Sequence, residues 1–247
     1  MSAPGAADGS APDAPDGSVA AAPLDVRMFT VGPVQENAYV VRAEAGSRRA
    51  LLVDPGDEPQ RLQEALQALD VEVEAILITH CHFDHIGAVA PLARATGAPV
   101  YCPQIEAPLL RDIMAWTPPG FGPFENWEPE QTLTGGERLK LAGIDIEVLF
   151  TPGHSPGHLT YAIAAAVGEE TPLSASALLS GDVLFQGSVG RTDLPGGDWS
   201  VLERSIGTLV ERFAGETTIY PGHMGVTTVG RELQSNPFLA ELRTQVA

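Results

Sequence analysis

Residues 79–85 read Thr-His-Cys-His-Phe-Asp-His, and they close a run (73–79) rich in β-branched residues. The run predicts a strand and the histidine-rich stretch a loop at its end. Imidazoles two residues apart on extended chain project to the same side, so His80 and His82 face one point while Cys81 turns away from them as a buried thiol. The next pair, Asp84 and His85, turns toward a second point. One short loop therefore offers two histidines to one metal ion and an Asp–His pair to another. Neutral imidazole with ionised carboxylate suits zinc, iron or manganese alike. The plain alternative is a loop of solvated polar residues.

Three further groups at strand ends or glycine turns weigh against that alternative. They are His154 in the stretch Thr-Pro-Gly-His-Ser-Pro-Gly-His (151–158), Asp182 in Ser-Gly-Asp-Val (180–183), and His223 in Tyr-Pro-Gly-His-Met (220–224). Glycine at such turns lets backbone approach an ion closely. Around these groups, short apolar runs bounded by turn residues predict strands at 24–29, 37–42, 49–54, 99–102, 137–141, 144–150, 158–164, 176–180 and 217–220. Residues 59–69 carry Leu62, Ala65, Leu66 and Leu69 on one helical stripe. Helices are also expected at 86–95, 105–116, 200–213 and from 228 onward. Two halves, each of strands followed by helices, predict a layered α/β protein with two sheets packed on each other.

The order HxHxDH, TPGH, GD, PGH resembles the metallo-β-lactamase-fold hydrolase superfamily, an αββα four-layer sandwich with metals between the sheet edges. The stretches SGDVLFQGSVGRTDLPGGD (180–198) and YPGHMGVTTVGRELQSNPF (220–238) are similar to its compact glyoxalase II-like branch, the hydroxyacylglutathione hydrolases. Asn37-Ala38-Tyr39 and the Leu-Val-Asp-Pro-Gly of 52–56 look like that branch too, so the resemblance spans roughly residues 24–240. It implies two divalent ions, zinc first, with iron or manganese also compatible. His80, His82 and His154 would hold one, Asp84, His85 and His223 the other, and Asp182 would bridge both. Asp84 and Asp182 are the carboxylates placed at the reaction centre. A hydroxide bridging the ions, its pKa lowered toward neutrality, would attack a thioester carbonyl of a low-molecular-weight thiol. Asp54 is expected to orient a ligand histidine, and Arg191 to contact the thiol portion of the substrate, with an ion pair to Asp193 or Asp198 as its other reading. His158 is expected to be structural, Cys102 to pack in the core, and the aromatic stretch 116–127 to be a lid or a packed insertion. Typical glyoxalase II enzymes carry an additional C-terminal helical domain that grips glutathione. This chain has 24 residues after His223 and no lysine among them, which leaves the thiol open. The alternative in the same fold is a persulfide dioxygenase with one iron on His80, His154 and Asp182. β-Lactamase or lactonase action is not what the glyoxalase-like stretches point to.

The remaining sequence narrows the partners. The chain has 247 residues, 32 acidic against 14 basic, for a formal charge of −18. Its cations are scattered, with no cluster beyond the adjacent pair Arg48 and Arg49, which disfavours nucleic acid. No run is apolar for the roughly 18–20 residues a membrane helix needs. Residues 1–23 are Ala, Pro, Gly, Ser and Asp apart from Met1 and Val19, the composition of a disordered tail without a signal or transit pattern. One domain is expected from 24 to 247. With only two cysteines, a reducing cytoplasm is the simpler compartment.

Overall fold

Side-chain alternation along β-strands separates three apolar clusters, and those clusters define the layers of the molecule. The computed structural model describes residues 24–165 and 176–242; the expected N-terminal tail, residues 1–23, lies outside the described residues. The chain begins with an antiparallel meander, β1 (Asp25–Val31), β2 (Glu36–Arg42) and β3 (Arg49–Val53). Helix α1 (Pro59–Ala68) then leads to β4 (Glu72–Leu77), parallel to β3. A single turn α2 (Phe83–Ile86) and helix α3 (Val89–Thr96) connect to β5 (Val100–Pro103). Helices α4 (Ala107–Arg111) and α5 (Ile113–Trp116) precede β6 (Gln131–Leu133), which completes a six-stranded sheet in the order β1-β2-β3-β4-β5-β6.

The second sheet starts with the hairpin β7 (Arg138–Leu141) and β8 (Ile144–Phe150), followed by β9 (Leu159–Ala165) and β10 (Ala177–Gly181). A small hairpin, β11 (Leu184–Phe185) and β12 (Ser188–Val189), leads into α6 (Trp199–Arg212). Strands β13 (Thr218–Pro221) and β14 (Thr227–Thr228) then run into α7 (Val229–Ser235), and the sheet order is β14-β13-β10-β9-β8-β7.

In β2 and β3, Ala38, Val40, Ala50 and Leu52 face helices α1, α3 and α4, while Tyr39, Val41, Leu51 and Val53 face the second sheet. In the second sheet, Leu159, Tyr161, Ile163 and Leu179 face inward, and Ala162 and Leu178 pack on Leu202, Ile206 and Leu209 of α6. Strands apolar on both faces read as continuous hydrophobic runs, which is why they stood out in the sequence. The result is helix, sheet, sheet, helix: the αββα sandwich. Each fully buried Leu, Ile or Val in the central cluster contributes about 1.5–3 kcal/mol of burial.

Several expectations are corrected in detail. The helix expected at 105–116 breaks at Asp112, whose backbone lies at φ −146°, outside the helical region. The helix expected at 86–95 starts earlier, in α2, and restarts at Val89. Strands β6, β11, β12 and β14 had no sequence signature, because two or three residues show no period. In the 116–127 stretch, Phe124 and Trp127 pack on the cluster beneath α3 and α4, while Trp116 is exposed. No helix among the described residues is long and apolar enough to cross a membrane.

Topology places the site. Strands β3 and β4 are parallel, as are β10 and β13, and β8 runs alongside β10 with β9 antiparallel between them. The carboxyl ends of β3 and β4 in one sheet, and of β8, β10 and β13 in the other, therefore open on one edge of the sandwich. Backbone and side-chain bonds lock the two edges together: Leu159 N–H donates to Thr79 O at 2.8 Å, and Tyr161 Oη donates to Ile78 O at 2.6 Å.

Candidate metal centre

The loop after β4 leaves His80 buried and His82 extended, then winds into α2, which carries Asp84 and His85. His154 follows β8, Asp182 follows β10 and His223 follows β13. Seven side chains from both sheets thus meet at one edge, and they are the seven singled out in the sequence. They fall into two groups. Nε2 of His80, Nδ1 of His82 and Nε2 of His154 lie 2.8 to 3.2 Å from one another. The second group is Asp84, His85 and His223. His223 Nε2 lies 3.4 Å from Asp84 Oδ2, and His85 Nε2 lies 4.0 Å from the same oxygen. Asp182 stands between the groups, with Oδ2 3.4 Å from His154 Nε2 and 3.6 Å from His223 Nε2, and Oδ1 3.4 Å from His85 Nε2.

Whether this cluster suits a cation follows from where the ring protons lie. Thr79 Oγ1 donates to Asp54 Oδ2 at 2.6 Å, so the 3.1 Å contact between that hydroxyl and His80 Nδ1 must be a ring N–H donating to it. His154 Nδ1 donates to Arg191 O at 2.7 Å, His85 Nδ1 to Asp54 Oδ2 at 3.1 Å, and His223 Nδ1 to Gln35 O at 3.2 Å. Four rings therefore have their outer nitrogen committed and turn Nε2 lone pairs inward. His85 Nε2 and Asp182 Oδ1 are buried and have no hydrogen-bond partner among the described residues. Converging lone pairs and orphaned acceptors are costly alone and are satisfied by a cation. A tetrahedral ion with Zn–N bonds of about 2.0–2.1 Å spaces its ligands about 3.3 Å apart, close to the trihistidine spacing.

Charge supports the same fit. Burial, and then the neighbouring His85, His82 and His154, push His80 well below the ordinary histidine value, keeping it neutral. His82 is pushed down to about 4, first by burial. Burial would also depress His85, but Asp182, Asp54 and Asp84 outweigh it and hold the ring well above its usual value. Burial would raise Asp182, yet His85, His154 and His223 hold it below the usual carboxylate range. The carboxylates thus demand positive charge at this point, which protons or metal cations can supply.

Backbone geometry keeps the groups close. Gly222 has no Cβ; one there would lie 2.2 Å from Asp182 Oδ1 and 2.7 Å from the His85 ring. Gly181 sits at φ +47°, and a Cβ there would come within 2.4 Å of Thr79 Oγ1. Asn37 and Tyr39 have a mechanical role that their motif did not reveal. Asn37 N–H donates to Gly222 O at 2.7 Å, and Tyr39 Oη to Pro221 O at 2.7 Å, so β2 of one sheet holds the loop of the other that carries His223.

Asp54 accepts from Thr79 N–H at 2.7 Å as well as from Thr79 Oγ1 and His85. Its oxygens also fall near His80 and His85 in a third acidic–histidine grouping, but they are already engaged by these donors. Arg191 touches the site through its carbonyl; its guanidinium is exposed and makes two hydrogen bonds to Asp193, at 2.6 and 2.7 Å. His158 is buried, accepts from Asp182 N–H at 3.0 Å and stacks on His80 with ring centroids 4.8 Å apart. Cys81 and Cys102 are both buried, with Sγ atoms 3.4 Å apart. Glu36 carries no signal in the sequence: it is fully buried, 3.8 Å from His85 Nδ1, with neither oxygen hydrogen-bonded among the described residues, and burial pushes its carboxyl well up.

A family profile described as the metallo-beta-lactamase superfamily matches residues 31–223. A protein of Haemophilus influenzae named hydroxyacylglutathione hydrolase GloC is 32% identical over 219 residues, 87% of this chain and 98% of that protein. The crystal structure of the B3 metallo-beta-lactamase BLEG-1 superposes with a TM-score of 0.78 at 35% identity, covering 87% of this chain and 100% of the other. That of TTHA1623, in a di-iron-bound form, gives 0.72 at 41% identity, covering 86% and 100%.

Proposed function

The chain belongs to the metallo-β-lactamase superfamily and is a metal-dependent hydrolase; from that premise we propose that it is a dinuclear thioesterase acting on hydroxyacyl thioesters of a low-molecular-weight thiol. The observation that carries this reading is Asp182, one carboxylate facing a trihistidine group with one oxygen and His85 with the other. His80, His82 and His154 would hold the first ion, Asp84, His85 and His223 the second, and Asp182 both. Bound divalent cations would supply a water whose pKa is lowered toward neutrality and a Lewis acid for the developing oxyanion.

The chain's own residues set up that chemistry. The outer ring nitrogens are committed to Thr79, Asp54, Arg191 and Gln35, so these histidines are fixed as ligands and are not available as proton donors. A substrate whose leaving group needs no strong acid suits such a site. Thiolates, with parent pKa about 8.5, leave in that way, whereas an amide nitrogen needs a proton. The wider side of the cluster is the Asp84–His223 side, whose side chains are 15% and 21% exposed, and substrate approaches there. The name of the Haemophilus relative, matched over nearly its full length, supports the acyl thioester as substrate class.

The test is a panel of lactoyl and other acyl thioesters on several thiols, with a β-lactam alongside and metal quantified per chain. Thioester turnover with two metals bound is expected. Two metals with β-lactam cleavage and no thioester turnover would replace the substrate; one iron with oxygen uptake on a persulfide would replace the reaction.

A further inference from the structure

The motif TPGHSPGH contains more than a metal-binding function explains: Ser155, Gly157 and His158 follow the one residue assigned to the ion. Ser155 and Gly157 converge on Glu106, a buried carboxylate just before α4 that neither the sequence motifs nor the proposed ligand set include. Glu106 Oε1 accepts from Ser155 Oγ at 2.5 Å and from Gly157 N–H at 2.7 Å, and Oε2 accepts from Cys81 N–H at 2.6 Å. All three partners are donors, so the side chain acts only as an acceptor, and both oxygens are used. Cys81 is the residue between His80 and His82, and Ser155 directly follows His154. One carboxylate thus ties the loop that carries two members of the trihistidine group to the loop that carries the third, across the gap between the two sheets. No comparable tie reaches Asp84, His85 or His223 from Glu106. The contact at Gly157 is close: a Cβ there would lie 2.8 Å from Glu106 Cγ.

The geometry points to Glu106 as the positioning residue of the trihistidine site, setting the separation of His154 from His80 and His82 and hence the affinity of that site for its ion. This rests on the proposed assignment of that ion to His80, His82 and His154. Groups that orient metal ligands from behind typically change metal affinity by 10–100-fold when altered. Gln at position 106 keeps the volume but must present an N–H₂ to one of three donors, so it loses at least one bond.

The experiment measures the affinities of the two zinc equivalents by chelator competition on metal-free wild type, E106Q and S155A, with the thermal midpoint of each metal-free protein. E106Q is expected to bind one equivalent about 10–100-fold more weakly and leave the other within about twofold. S155A, which keeps two of the three bonds, should fall between E106Q and wild type. The metal-free midpoints should stay close, and added zinc should restore kcat in E106Q at unchanged KM. Unchanged affinities in both variants would overturn the proposal. So would an equal loss at both equivalents with a lowered metal-free midpoint, which marks a merely structural residue. A wild type that binds two equivalents but hydrolyses no thioester would remove the proposed function and leave the Glu106 proposal standing.

Discussion

The two halves of the metal centre are built on different physics. The His80–His82–His154 group is all nitrogen and closely spaced, with His80 and His154 buried and His82 half-buried, and His80 is kept uncharged by burial. The Asp84–His85–His223 group is looser, partly exposed and dominated by carboxylates that hold His85 and His223 above their ordinary values against the effect of burial. On the proposed assignment, the first would select an ion mainly by shape and the second mainly by charge. Asp182 faces both, one oxygen toward each. The difference implies that the second position is the more open to substrate and the more sensitive to protons.

The largest effect should come from breaking the shared element. Asp182→Asn removes the carboxylate whose two oxygens face the two groups and is expected to lower kcat/KM by on the order of 10³ or more, with both metal equivalents weakened. Kinetics with metal analysis check it; retention of wild-type activity at full occupancy would contradict it. His82→Ala and His223→Ala should each remove one equivalent and leave the other, which separates the two groups directly. Asp54→Ala should act next, weakening metal binding about 10–100-fold, because it takes the acceptor from His85 Nδ1 and from the Thr79 hydroxyl behind His80; chelator competition reads it.

A pH effect sharpens the contrast from the buried side. Burial, and then His154, push His158 well below the ordinary histidine value, so it is neutral when folded. The unfolded chain binds the extra proton below about pH 6.5, so this residue costs stability as pH falls through that value. The urea midpoint of metal-free wild type should drop more between pH 7 and pH 5 than that of His158→Gln. The smallest effect should be at Arg191. Its carbonyl holds His154, and the exposed pair with Asp193 is worth about 0–1 kcal/mol. Arg191→Ala should leave metal affinity unchanged, and a KM shift of more than about tenfold would show instead that the guanidinium grips substrate.

Legibility in the sequence followed the range of the interactions. His80, His82, Asp84 and His85 stand within six residues, and His154, Asp182 and His223 each follow a glycine at the end of a strand, so local patterns carry them. The central strands of the sandwich were legible because both faces are buried and the apolar runs are unbroken. Glu106 and Glu36 had no such signal. The partners of Glu106 lie 25 to 51 positions away, and an isolated glutamate reads as a surface charge until the chain is folded. Thr79 looked like the end of a β-branched strand, yet its hydroxyl sets the tautomer of His80. Asn37 and Tyr39 carry only a family resemblance in the sequence, because their bonds to Gly222 and Pro221 span more than 180 residues. The break at Asp112 and the two-residue strands depend on tertiary contacts that no local period records.

The most direct test is stepwise titration of zinc into metal-free protein while the hydrolysis of a lactoyl thioester is followed. With two groups joined by Asp182, activity should remain low through the first equivalent and rise with the second. Full activity at one metal per chain would contradict a dinuclear centre.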